Sequence, residues 1–325
     1  MKAWRVHELG EPAKVMRLED VEAPTPGPRQ LVVKVLASPA NFPDALMCRG
    51  LYQVRPDLPF TPGIELCGSV VDPGDTPFAV GDRVIGVAVL PFGGFAELAV
   101  MDQATTFPAP LELDDAEASA LFIGYQTGWV GLHVRAGLKA GETLLVHAAA
   151  GGVGSAAIQL GKAAGARVIG VVGGPEKAEV ARALGADVVI DRHTEDFVSV
   201  VKEVTGGRGA DVIYDPVGGD TYARSTKCIA FEGRILVVGF AGGDIQSAAL
   251  NHALVKNYSI VGLHWGLYNL MKPDVVAECH RELTALVASG AIRPLISERL
   301  ALPELADGVQ RLADGSTVGR IALLN

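Results

Sequence analysis

The residues in this chain most able to do chemistry by placement alone are three glycines in LLVHAAAGGVGSAAIQLGKAAGA, positions 144 to 166. Gly151, Gly152 and Gly154 fall between an apolar run that reads as a strand and a small-residue run that reads as a helix. Bare backbone amides at a helix start, with no side chain in the way, can approach a pyrophosphate, and Ala150, Gly151, Gly152 and Val153 are the positions that would touch it. The spacing is Ala149-x-Gly151-x-x-Gly154, so the loop alone is a modest signal, and the strand before it and the strand after it on schedule supply the rest. A dinucleotide site for NAD would place Asp or Glu at the end of that second strand, to accept from the ribose hydroxyls. Here the place is taken by Gly173 and Gly174, with Lys177 and Arg192 close by in sequence. Two cations and no carboxylate favour a phosphorylated ribose, hence NADP(H). The plainer alternative is that both are ordinary solvated charges, and Glu176 beside Lys177 is an opposing feature.

The elements that must position this loop follow from apolar runs and their punctuation. Thr143–Ala148, Arg167–Val172, Val188–Ile190, Val212–Tyr214, Ile235–Gly239 and Ser259–Leu263 read as strands, with helical stretches at Ser155–Ala164 and Pro175–Leu184 and another around Tyr222–Ala230. That alternation predicts an α/β fold with a doubly wound parallel sheet. Open sheets of this kind bind ligands beyond the carboxyl ends of their strands, so Gly239 and Phe240 are candidate cofactor contacts and His264 and Trp265 candidate substrate walls. Before about Gly124, short runs such as Gln30–Ala37, Cys67–Val71 and Arg83–Val89 alternate with Pro and Gly, as in a small β-rich domain. The expected division is residues 1–124, 125–265, and a return segment 266–325 that completes the first domain.

Composition excludes several classes of function. The 325 residues carry a formal net charge of -9, which opposes nucleic acid and anionic membranes. Four cysteines, Cys48, Cys67, Cys228 and Cys279, lack the C-x-x-C spacing of a zinc knuckle and read as structural thiols in a reducing, cytoplasmic setting. No apolar run reaches the roughly 18 residues a membrane helix needs.

Further motifs tie the chain to a family. NFPDALMCRGLYQ at 41–53, LPFTPGIELCGSV at 58–70, GDRV at 81–84, GGFAE at 93–97, the glycine loop, and GADVIYDPVGG at 209–219 resemble the zinc-independent quinone oxidoreductase branch of the medium-chain dehydrogenase/reductase superfamily. The resemblance spans nearly the whole chain. It implies a GroES-like β-rich catalytic domain built from both chain ends, a Rossmann domain between them, an active-site cleft where they meet, and homodimers paired through the Rossmann domain. It places Asn41 and Asp44 near the nicotinamide and Tyr52 at the mouth as a candidate proton donor, with solvent as the alternative donor. It puts Thr127 at the start of a helix touching the nicotinamide or a phosphate, and Arg320 near the adenosine phosphate. The zinc-dependent relatives carry G-H-E where this chain reads Gly63-Ile64-Glu65, and isoleucine cannot ligate a metal. The chemistry implied is hydride transfer from NADPH to a quinone or small α,β-unsaturated carbonyl, with no metal. Enoyl-thioester and 2-haloacrylate reduction are the alternatives, and a sensor or structural protein that binds NADPH without turnover is an alternative of another kind.

Overall fold

A computed structural model describes residues 1–325, which divide into two compact units, Gly124–Ile292 and a second made of Met1–Ile123 with Arg293–Asn325.

In Gly124–Ile292, six strands form one sheet in which every pairing is parallel. In sheet order they are Ser259–Gly262, Ile229–Val237, Ala210–Asp215, Thr143–Val146, Arg167–Val172 and Val188–Asp191. The first strand in the chain lies at the centre and the order reverses beside it, which is the Rossmann arrangement. The central strand Thr143–Val146 is wholly buried, as apolar residues on both faces of a parallel sheet must be. Helices Gly152–Ala163, Pro175–Ala183, Phe197–Val204, Asp220–Ser225 and Leu250–Lys256 connect the strands. The helices at Phe197–Val204 and Leu250–Lys256 are additions to the sequence reading.

The helix Pro273–Ala288 buries Val276, Cys279, His280, Leu283 and Val287 along one face. It belongs to this unit, so residues 266–292 do not join the β-rich unit as the sequence division expected. An amphipathic helix declares that it has a partner surface but not which one.

In the other unit, strand Gln30–Pro39 pairs antiparallel with both Glu65–Asp72 and Leu98–Pro108, and Arg83–Ala88 joins those two, so four strands close on themselves. Leu31, Val33, Val35, Leu66, Val70, Val84, Ala99 and Met101 fill this small barrel. The chain's last strand, Arg320–Leu324, pairs antiparallel with the carboxyl half of Gln30–Pro39 and parallel with Ile296–Ala301. Thus 33 carboxy-terminal residues complete a domain begun at the amino terminus, as the GroES-like reading expects.

Candidate functional site

All six parallel strands end on one edge of their sheet, and the loops leaving that edge carry most of the cofactor candidates. The turn at 148–151 passes through Ala148 at positive φ and ends on Gly151, the N-cap of the helix Gly152–Ala163. The first amides of that helix, from Gly152, Val153 and Gly154, donate to no protein acceptor and are available to an anion. A Cβ on Gly154 would sit 2.2 Å from the Ala148 carbonyl oxygen, so only glycine permits this turn to lie so close to the helix. Directly before that turn, His147 is held by Ser225 Oγ at 2.9 Å and packs against Phe197 in an edge-on arrangement. Burial pushes its imidazole down to about 3, as suits a neutral core histidine rather than a base.

The adjacent strand Arg167–Val172 ends at Gly173. A Cβ built there would lie 2.9 Å from His193 Nε2, 3.0 Å from Arg192 Nη2 and 3.1 Å from Arg192 Nε. Two nitrogen-bearing groups therefore converge on the space that a side chain at 173 would fill. Asp191 is turned into the backbone, its Oδ1 accepting from the amides of Gly174 and His193 at 2.9 and 3.0 Å. Those two bonds hold its carboxyl below the usual range. Lys177 lies in the first turn of the helix Pro175–Ala183 and is half-buried. Sequence reasoning named Gly173, Lys177 and Arg192 and passed over His193, whose only signal was its place directly after Arg192 at a strand end.

Gly239 and Phe240 lie just past the strand Ile229–Val237, and the half-exposed Phe240 ring sits over Gly218, 2.8 Å from where a Cβ would be. His264 and Trp265 follow the edge strand, with Trp265 buried at the start of helix Gly266–Met271. Thr127 does not start or cap its helix. It is the sixth residue of Phe122–Trp129, which runs on into a wider-wound turn at Val130–Arg135, and its side chain is buried.

The β-rich unit gathers Asn41, Asp44, Glu65 and Arg320. Glu65 is fully buried, and its Oε2 accepts from Arg320 Nη2 at 2.8 Å and Asn41 Nδ2 at 3.0 Å, while Oε1 accepts from the Ile123 amide at 2.6 Å. Arg320 is 4% exposed and also donates to Asn41 Oδ1 at 2.7 Å and to the Ala120 carbonyl at 3.0 Å. This corrects the expectation for Arg320: its guanidinium is buried inside the β-rich unit and neutralises a buried carboxylate there, rather than standing at the surface for an adenosine phosphate. Asn41 is corrected likewise. Its amide nitrogen gives both hydrogens, to Glu65 and to the Pro39 carbonyl, so it braces this network and has no donor left for a carboxamide. Glu65, which the sequence analysis gave no role, is the hub.

Asp44 is also fully buried, with Oδ2 accepting from the Asn41 amide and Oδ1 from the amides of Gly63 and Ile64. Burial pushes its carboxyl up to about 6 against those three bonds, so its work here is to fix the 41–44 turn against the 63–65 segment. Tyr52 packs half-buried on the core formed by Phe60, Phe95, Met47 and Cys48. Its phenol is raised first by burial and then by the Asp44 carboxylate, which keeps the hydroxyl protonated and able to donate. Cys48 is fully buried and its thiol is pushed up to about 12, so it is no nucleophile.

Comparison with known proteins agrees with this architecture. Residues 27–111 match the alcohol dehydrogenase GroES-like domain family and residues 152–281 the family described as zinc-binding dehydrogenase. A quinone oxidoreductase-like protein 2 homolog of Nematostella vectensis is 38% identical, over 99% of this chain and 88% of its own length. Among solved structures, a quinone oxidoreductase of Pseudomonas syringae is 34% identical with a TM-score of 0.91, covering 100% of this chain and 99% of that one. The Escherichia coli quinone oxidoreductase, solved in complex with NADPH, is 30% identical with a TM-score of 0.92 and full coverage of both chains. With both domain families matched and relatives at 30% identity or more spanning nearly the whole chain, the chain belongs to the quinone oxidoreductase family of the medium-chain dehydrogenase/reductase superfamily.

Proposed function

We propose that this chain is an NADPH-dependent reductase that passes hydride to a quinone or a small α,β-unsaturated carbonyl without a catalytic metal. The observation that carries the cofactor choice is the end of strand Arg167–Val172, where a glycine stands in place of a carboxylate and the Arg192 guanidinium lies about 3 Å from its missing side chain. There Arg192, with Lys177 on the next helix, would hold a 2′-phosphate, while the amides of Gly152, Val153 and Gly154 would hold the pyrophosphate. The Escherichia coli relative, solved with NADPH, supports the same reading.

Bound nicotinamide supplies a hydride to the electron-poor carbon of the acceptor. Negative charge then gathers on the acceptor oxygen, and the protonated phenol of Tyr52 is the group we assign to donate toward it. Zinc independence is supported by the residues themselves. Ile64 offers no donor atom, and Glu65 is already neutralised by Arg320 and bonded by Asn41.

A homodimer fits the outer edge of the sheet. Strand Ser259–Gly262 is paired on one side only, and Leu250, Leu254, Val255, Leu270 and Met271 on its neighbouring helices are exposed. A second copy is the occupant we assign to that edge. No helix is long and apolar enough to cross a membrane, and the four cysteines are free and buried, which suits the cytoplasmic placement we propose.

The test is loss of nicotinamide absorbance with NADPH and with NADH against p-quinones, short enones, 2-haloacrylates and enoyl thioesters, with metal analysis of the same preparation. Turnover with NADPH confined to quinones or enones, in metal-free protein, is expected. Tight NADPH binding with no turnover on any acceptor would instead favour a sensor.

A further inference from the structure

We propose that His193 is a specificity-determining residue: its imidazole, together with Arg192, clamps the 2′-phosphate, so that the preference for NADPH over NADH strengthens as the pH falls through neutrality. The inference rests on the reading that this chain binds NADPH, and extends it to a residue and a dependence which that reading does not contain.

The geometry is local and specific. His193 Nε2 and the two nearest Arg192 nitrogens all lie within 3.1 Å of one point, the position a Cβ on Gly173 would occupy. Neither side chain is engaged by a protein hydrogen bond or ion pair, and both are exposed beside the strand end, where a cofactor's adenosine ribose would arrive. With the ring protonated, two cations would stand side by side with the single charge of Asp191 within electrostatic reach of both, an excess of positive charge that a dianion relieves.

The other charged groups around this point do not replace that dianion. Asp191, at the end of strand Val188–Asp191, directs Oδ1 at the amides of Gly174 and His193. Glu195, in the loop that follows, is turned back to accept from the Asp191 amide at 3.1 Å. From the helix Pro175–Ala183, Glu176 and Lys177 contribute one charge of each sign in the first turn. An arginine holds its charge at every accessible pH, whereas imidazole changes charge between about pH 5 and 8. Arg192 thus gives a constant attraction and His193 an adjustable one.

The phosphate monoester itself titrates near pH 6, so pH dependence by itself is not diagnostic and a variant must subtract it. The experiment is calorimetric titration of the full chain with adenosine 2′,5′-bisphosphate and with adenosine 5′-monophosphate at about pH 6.5, 7.2 and 8. Wild type, His193→Gln and Arg192→Gln are compared, and the His193 ring protons are followed by NMR over the same range. In wild type the preference for the bisphosphate should rise by about threefold to tenfold from the highest pH to the lowest, relative to His193→Gln, as one charge-assisted contact at an exposed site allows. The His193 titration midpoint should move up when the bisphosphate binds and stay put with the monophosphate. Arg192→Gln should lower the preference at every pH. A His193→Gln profile superimposable on wild type, with His193 resonances indifferent to ligand, overturns the proposal while leaving the NADPH reading standing. Wild type that treats the two nucleotides alike at every pH removes that reading, and this inference with it.

Discussion

Arg320 and Glu65 form the most deeply buried ion pair of the β-rich unit. A carboxylate buried with an arginine contributes modest net stability, because desolvating both ions offsets most of their attraction, but removing one partner leaves a bare charge in the core. Arg320→Met should therefore cost about 3–5 kcal/mol in urea unfolding, and Glu65→Gln added to it should recover part of the loss. An unchanged midpoint in the single variant would mean that Glu65 finds another partner. This pair was not legible in the sequence, since 255 positions separate its members and nothing local marks either residue as buried. Family likeness pointed to Arg320 and Asn41 but assigned them to the cofactor. What decides their role is that every donor on Arg320 Nη2 and Asn41 Nδ2 already has an acceptor within the unit.

At the scale of elements the sequence was far more informative. Each strand of the parallel sheet is a short apolar run, several of them followed closely by glycine, and period and punctuation suffice for that. The glycines within it are not equivalent. At Gly154 an added methyl would meet backbone, 2.2 Å from the Ala148 oxygen and 2.9 Å from the Ala149 Cα, so the loop or the helix must shift. At Gly173 it would meet only the far ends of Arg192 and His193, which can move aside. Gly154→Ala should accordingly lower stability by about 1–3 kcal/mol and weaken NADPH and NADH alike, while Gly173→Ala should keep the thermal midpoint and erode the preference between them. Thermal melts and nucleotide titrations of the two variants separate these outcomes, and equal effects on both properties in both variants would contradict the distinction. The helix Pro273–Ala288 shows where pattern stops helping: its apolar stripe was plain, yet which unit it packs in depends on a surface formed by distant strands.

For the whole molecule, the division matters as much as the content of each part. Gly124–Ile292 is continuous in sequence and carries its own core, with Leu145, Ile169, Ile190, Ile213 and Ile235 buried together. Residues 124–292 expressed alone should give a folded, cooperative unit that retains nucleotide binding within about tenfold of the full chain, read by circular dichroism and calorimetry. Residues 1–123 alone should not fold, since they lack strand Arg320–Leu324 and the arginine that neutralises Glu65. A non-cooperative melt of 124–292 would show that the other unit is needed to hold the sheet together.

That discontinuity also fixes an order of events on the ribosome. Gly124–Ile292 has all its strands once its own residues have emerged and can begin to fold while synthesis continues. The barrel built around Gln30–Pro39 is begun first and finished after the nucleotide fold: its unit is completed by strand Arg320–Leu324, and Asn325 Nδ2 bonds the Val35 and Ala96 carbonyls. Until those residues leave the exit tunnel, Glu65 has no counterion and the first unit waits open, so a chain that lacks them would carry a finished nucleotide fold attached to an unfinished barrel.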